Sequence, residues 1–133
     1  MVPQEPKWAK IMDLNDPVGS AEEINRAGEE WGKYLASQKL KNTQLRGVFG
    51  QVRVIELNWP VGQESDVARG KLILLKPKLA YQAKRIPELE PLKRILVPGI
   101  DKVKDRATFQ RFVEFFEAVV AYHRAAEGSE KNG

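Results

Sequence analysis

The sequence predicts an all-α fold, a compact bundle of about five to six helices in one domain. Apolar residues recur every three to four positions through most of the chain, which is the period of a helix with one buried face. The run Val52–Leu57 alternates like a strand, but the helical period explains it better. With 133 residues and no cysteine, the chain is long enough to bury an ordinary core without disulfides.

The first part of the chain is predicted to be an arm followed by a helix. Residues 1–19 contain three prolines and no sustained period, so we expect a flexible arm that is ordered only where something holds it. Ser20–Glu23 has the form of a capping box, a serine followed three positions later by a glutamate. The helix that begins there should extend to about Leu40, with a buried face formed by Ile24, Ala27, Trp31 and Leu35.

Turn residues and prolines divide the middle of the chain. A second predicted helix begins near Asn42 and ends at Asn58–Gly62, and a third begins near Glu64. Pro77 must either kink this third helix or lie in the first turn of a new one, because proline has no N–H to donate. Three later prolines should divide the region before the last helix into short pieces: Pro87, Pro91 and Pro98.

The last helix has the clearest pattern, from about Thr108 to Ala126, and Gly128 is expected to end it. One apolar face contains Phe109, Phe112, Val113, Phe116, Val119, Val120 and His123. A second seam beside this face is formed by Phe115, Ala118 and Tyr122. A helix that is apolar on two sides is buried twice, by its own domain or by another subunit, so the second seam is a candidate subunit interface. The chain thus divides into the arm, a helical domain at 20–127 and a polar tail at 128–133.

Charge is unevenly distributed along the chain. Residues 37–106 contain 15 basic and 7 acidic side chains, a net charge of +8, whereas both ends are mildly acidic. This segregation suggests an anionic partner, although a solvated basic surface would produce the same pattern. The start of the sequence has no apolar signal region, and no apolar run approaches the ~20 residues that span a bilayer. We therefore expect a soluble, cytoplasmic protein without a membrane partner.

The sequence contains no recognisable catalytic constellation. The single histidine, His123, shares a helix face with phenylalanines, whereas Glu114 and Glu117 lie on the polar side. A metal-ligand pair, a phosphate-binding glycine loop and a nucleophile beside a base are all missing. We expect no catalytic residue, no metal and no cofactor, and a histidine packed at the edge of the core. A small hydrolase or nuclease is the least favoured alternative.

Two basic stretches are candidates for contact with a polyanion. In the second predicted helix, Arg46, Gly50 and Arg53 share a stripe opposite the buried face, with Gly47 beside it. Each glycine costs about 1 kcal/mol relative to alanine. In return, the bare backbone at a glycine lets another chain approach closely, or it lets helices pack closely inside the protein.

The second stretch is LKPKLAYQAKR, Leu75–Arg85. Its helical spacing places four side chains on one face: Lys78, Tyr81, Gln82 and Arg85. Cations of this kind neutralise phosphate, and tyrosine or arginine can stack on an exposed base. A solvated basic face with one half-buried tyrosine would look similar.

Three segments together resemble a known family: LKNTQLRGVFGQV (Leu40–Val52), LILLKPKLAYQAKR (Leu72–Arg85) and FQRFVEFFEAVVAYHR (Phe109–Arg124). Their order and spacing are similar to those of the small subunit of type III-A CRISPR effector complexes, the Csm small subunit family. The resemblance covers roughly residues 36–126. The first residues of the chain and the segment Asn58–Asp66 match nothing in the family pattern.

The resemblance implies an all-helical, non-catalytic subunit that forms an inner filament along the guide RNA–target RNA duplex. It implies contact mainly with the target RNA backbone, without sequence readout, and association with further copies and with the backbone and large subunits of the complex. Catalytic activities of the complex belong to those other subunits. The basic positions carried over from the family are Lys41, Arg46, Lys76, Lys78 and Arg85. Helical geometry adds Arg53 and Tyr81. The alternative is a helical protein–protein interaction module with no nucleic-acid contact.

Overall fold

The chain forms seven α-helices and one 3-10 turn in a computed structural model, which describes the backbone of residues 1–132 and the side chains of residues 1–127. The helices are α1 (Trp8–Ile11), α2 (Pro17–Ser37), α3 (Asn42–Leu57), α4 (Asp66–Ile73), α5 (Leu75–Arg85), α6 (Glu90–Lys102) and α7 (Arg106–Asn132), and the 3-10 turn is Pro87–Leu89. No strand occurs among residues 1–132, so the predicted all-α bundle is confirmed. Within the same residues, no helix is long and apolar enough to cross a membrane.

Helices α2 and α7 pack against each other along most of their length and form the centre of the bundle. Glycines allow this close approach: a Cβ added at Gly28 would lie 2.6 Å from the Cβ of Ala118. One added at Gly32 would lie 2.8 Å from the carbonyl oxygen of Val119. Since ordinary carbon contacts begin near 3.4 Å, only glycine fits at these two positions without moving a helix.

This packing involves the predicted subunit interface, the seam of Phe115, Ala118 and Tyr122. Phe115 is fully buried inside the chain and meets the ring of Trp8 edge-on, with centroids 4.9 Å apart. Ala118 faces α2, and the Tyr122 hydroxyl donates a hydrogen bond to Asn25 Oδ1 at 2.6 Å. Phe115 is therefore covered by the chain itself, whereas Ala118 and Tyr122 are partly exposed, and the subunit interface stays a prediction.

The first 19 residues contain buried structure. The Trp8 side chain is buried, its Nε1–H donates to the Ile95 carbonyl oxygen at 3.1 Å, and its ring stacks on Phe112. The Trp31 Nε1–H donates to the carbonyl oxygen of Gln4 at 3.0 Å. The division into arm, helical domain and tail stays a prediction, but α1 shares the core of the other helices.

The predicted start of α2 is wrong. The helix begins at Pro17, and the Asp16 carboxylate caps it by accepting a hydrogen bond from the Gly19 N–H at 3.0 Å. The hydroxyl of Ser20 is instead buried and donates to the Ile11 carbonyl oxygen at 2.6 Å. The supposed capping serine thus ties α2 to α1, one turn inside the helix.

Other boundaries follow local signals with two exceptions. The start of α3 at Asn42 is confirmed, and Pro77 lies in the first turn of α5, one of the two predicted alternatives. Pro98, however, lies inside α6 without dividing it, and α7 continues past Gly128. His123 is buried, and its Nε2–H donates to the Leu40 carbonyl oxygen at 2.7 Å, which ties α7 to the α2–α3 connection.

Candidate nucleic-acid interface

Helix α3 presents an open face formed by Arg46, Gly47, Gly50 and Arg53, because its apolar residues are buried on the opposite side. A Cβ added at Gly47 or Gly50 would meet no described atom of the neighbouring structure within 4 Å. These two glycines therefore do not serve helix packing inside the chain, in contrast to the glycines of α2. The other explanation, close approach by another molecule, stays a prediction.

The basic side chains on and beside α3 differ in whether they form an ion pair. Arg46 is exposed and forms no ion pair with a described side chain. Arg53 pairs with Glu56 at 2.8 Å, and its guanidinium lies 5.9 Å from the centroid of the Phe49 ring. Lys41 is exposed just before the helix, where its backbone N–H donates to the side-chain oxygen of Gln44 at 3.1 Å.

Helix α5 presents a basic face formed by Lys78, Tyr81 and Arg85, all exposed. The opposite side of the helix buries Leu75, Leu79 and Ala83. Tyr81 is 64% exposed, and the Arg85 guanidinium carbon lies 5.8 Å from its ring centroid, a cation–π contact that leaves the ring accessible. Gln82 does not share this exposure, since its side-chain oxygen is buried and lacks a partner among the described residues.

Lys76 points away from the basic face of α5. Its ammonium forms an ion pair with Asp101 of α6 at 2.6 Å, and its side chain is only 35% exposed. Helix α4 lies between the two candidate regions, because it packs against both α3 and α5. The structure thus separates the seven predicted residues into a group on α3, a group on α5, and Lys76 in contact with α6.

Four of the six predicted cations are exposed and unpaired among the described side chains: Lys41, Arg46, Lys78 and Arg85. The structure also brings Arg69 of α4 beside Lys76, at the rim of one cleft. Arg69 lies outside the three family-like segments, and only the spacing of 69, 72, 73 and 76 along one helical stripe could have indicated it.

The carboxylates and the histidine of α7 do not converge. Glu114 and Glu117 are exposed, whereas His123 is buried beneath α2 and α3. Among the side chains of residues 1–127, no group of three metal-ligating residues lies close enough to hold an ion. The groups exposed on the two candidate faces of α3 and α5 are cations, a phenol ring and bare backbone.

These features define a small all-helical protein with exposed cations on two neighbouring regions of its surface. The sequence matches the family model described as Csm2 Type III-A over residues 19–129. Since the match spans most of the chain, the chain belongs to this family and is a subunit of a type III-A CRISPR complex. The resemblance inferred from the three segments is confirmed. A search of curated proteins and a search of solved structures find no match.

Proposed function

We propose that this chain is a non-catalytic, RNA-binding structural subunit that lies along the guide RNA–target RNA duplex as part of an inner filament. It contacts mainly the target RNA backbone, and its protein partners are further copies of itself and the backbone and large subunits of the complex. It works in the cytoplasm and needs no cofactor. The observation that carries the proposal is the open face of α3, where unpaired Arg46 borders bare backbone at Gly47 and Gly50.

The binding chemistry is electrostatic. Cations that replace the counterions of phosphates give an affinity that falls linearly with the logarithm of salt concentration. Arg46 and Lys78 present guanidinium and ammonium groups to solvent without a carboxylate partner in the described structure. Tyr81 can stack on a base of any identity, because every base has a π-face. This set of groups supports sequence-independent binding.

Glycine on α3 adds a geometric element. A phosphate or ribose can approach the helix backbone at Gly47 and Gly50 more closely than at any residue with a Cβ. Arg46 and Arg53 border this bare strip on the same face, so cations and close approach coincide. To bind a phosphate, Arg53 must first break its ion pair with Glu56. An exposed ion pair of this kind contributes less than about 1 kcal/mol.

The experiment is a salt series of binding to labelled, unstructured single-stranded RNA, with Arg46→Ala/Lys78→Ala compared with wild type. The matched control is Lys10→Ala/Arg94→Ala, which removes one lysine and one arginine that are also exposed. We expect the first double variant to flatten the salt slope by about 0.7 to 1 for each lost cation. The control should leave it unchanged.

If both double variants flatten the salt slope equally, overall charge drives binding. Arg46 and Lys78 are then not part of a specific interface. If the free chain does not bind at low salt, the same variants are compared in the assembled complex, where neighbouring copies add affinity by multivalency. If Arg46→Ala/Lys78→Ala leaves the salt slope of the assembled complex unchanged, the proposal is contradicted.

The alternative function, a protein–protein module without nucleic-acid contact, relied on the second seam of α7. Phe115 of that seam is buried inside the chain, so only Ala118 and Tyr122 remain partly exposed for such a partner. The alternative predicts no salt-dependent RNA binding by the free chain and no effect of Arg46→Ala/Lys78→Ala on the salt slope of the assembled complex, which the same experiment measures.

A further inference from the structure

A small cleft lies between α6 and the stripe of residues 69, 72, 73 and 76, which runs from α4 into α5. Its volume is about 210 Å³. The floor is apolar and buried, formed by Leu72, Ile100 and Val103, and the rim carries three charged side chains, Arg69, Lys76 and Asp101. Charges at the edge of an apolar floor interact more strongly than charges in open water, because the local dielectric constant is lower.

The three rim charges are not equally engaged. The Lys76 ammonium lies 2.6 Å from Asp101 Oδ1, and the Asp101 side chain is 55% exposed. Arg69 is exposed and forms neither an ion pair nor a side-chain hydrogen bond with a described residue. The three rim side chains therefore have a net charge of +1. The Asp101 carboxylate lies beside Lys76, and the Arg69 guanidinium has no described partner.

Arg69 also lies within electrostatic range of a carboxylate, that of Asp105. The pKa of Asp105 is lowered, first by the hydrogen bonds from the backbone and hydroxyl of Thr108 and further by Lys104 and Arg69. Asp105 immediately precedes α7, close to the end of α6, so Arg69 lies near the connection between these two helices.

We infer that Arg69 and Lys76 form a binding site for one phosphate of the RNA backbone, and that Asp101 occupies this site in the free protein as an internal competitor. The inference rests on the proposed function and extends it to residues outside the open face of α3 and the basic face of α5. A carboxylate and a phosphate both present two acceptor oxygens to a cation. Arg69 offers the planar donor fork that binds a phosphate through two parallel hydrogen bonds.

The competition has a clear consequence for binding. RNA must displace Asp101 from Lys76, and the displaced carboxylate stays close to the incoming phosphate and repels it. Removing the negative charge of Asp101 should therefore strengthen binding, whereas removing most carboxylates elsewhere should change only the weak overall field.

The test uses RNA binding across a salt series with Asp101→Asn, Arg69→Ala and the combination of both. Glu117→Gln is the matched control, because it removes one exposed negative charge on α7, away from the cleft. We expect Asp101→Asn to tighten binding by about two- to fivefold at low salt and to steepen the salt slope by about 0.7. Arg69→Ala should flatten the slope and remove most of the gain in the combined variant.

Two results separate this inference from the proposed function. If Arg46→Ala/Lys78→Ala flattens the slope while Asp101→Asn behaves like Glu117→Gln, the proposed function stands and the cleft is not a phosphate site. If the protein does not bind RNA in any setting, the cleft is tested by NMR titration of the free chain with inorganic phosphate. A shift of the Arg69 side-chain Nε–H signal that is larger in Asp101→Asn than in Glu117→Gln supports the site, and no shift overturns it.

Discussion

Replacing Gly32 by alanine tests the central packing of the bundle. The new Cβ would lie 2.8 Å from three atoms of α7: the Val119 carbonyl oxygen, the Tyr122 Cβ and the His123 backbone nitrogen. Two of these are backbone atoms that cannot rotate away. To restore an ordinary contact of at least 3.4 Å, α2 and α7 must separate by about 0.6 Å along this direction.

The change in stability combines two unfavourable contributions and one favourable contribution. Overpacking a close contact costs about 1–3 kcal/mol, whereas alanine gains about 1 kcal/mol over glycine in helix propensity. Separation of the helices also strains the hydrogen bonds from Tyr122 to Asn25 and from His123 to Leu40, each worth about 1 kcal/mol. We expect a net loss of about 2 kcal/mol in the free energy of unfolding and a fall in Tm of roughly 5–10 °C.

The assay is urea unfolding and thermal melting followed by far-UV circular dichroism, and the matched control is Gly50→Ala. At Gly50 the added Cβ meets no described atom within 4 Å, so only the propensity gain remains, about 0.5–1 kcal/mol of stabilisation. Opposite signs for the two substitutions are the expected result. If Gly32→Ala is as stable as wild type, α2 and α7 do not approach this closely and the reasoning is refuted.

Three further predictions concern other parts of the chain. Gly50→Ala, although more stable, should weaken RNA binding at constant charge if close approach to α3 contributes to it; unchanged affinity in the salt series would contradict that role. Trp8→Ala should lower the free energy of unfolding by about 3–5 kcal/mol, because the buried indole and its hydrogen bond to Ile95 are lost; a loss below 1 kcal/mol would mean that α1 is not part of the core. The Glu23 carboxylate, hydrogen-bonded by the Arg26 guanidinium, has a lowered pKa, so its stabilisation is complete above the ordinary glutamate pKa of about 4.3 and is lost as pH falls through the lowered value. Urea midpoints of wild type should therefore decrease below about pH 4 more steeply than those of Glu23→Gln, and parallel curves would exclude this contribution.

Local signals in the sequence were sufficient for much of the fold. The start of α3, the break before α5 and the apolar faces of α2 and α7 depend on residues within one or two turns of each other. Pro98 shows the limit of such signals. It removes one backbone hydrogen bond of α6, yet Leu96 and Ile100 on either side of it are buried, and their packing keeps the helix continuous.

Two features that the sequence does not reveal, the burial of Trp8 and that of Phe115, depend on partners distant in the chain. Trp8 follows prolines in a segment without a period, and its buried site is formed by Phe112 and by Gly99, where an added Cβ would overlap the indole. The second seam is apolar, as the sequence predicts. Only the fold shows that Phe115 of this seam is buried inside the same chain.

The sequence alone determined the fold class, the family and the basic character of the middle of the chain, because helical period, motif order and charge are properties of neighbouring residues. Only the tertiary structure decided which cations are free. Lys76 and Lys78 are two positions apart, yet one pairs with Asp101 on α6 and the other faces solvent. A helix turns by about 100° per residue, so adjacent charges face different surroundings, and those surroundings come from parts of the chain that local patterns do not reach.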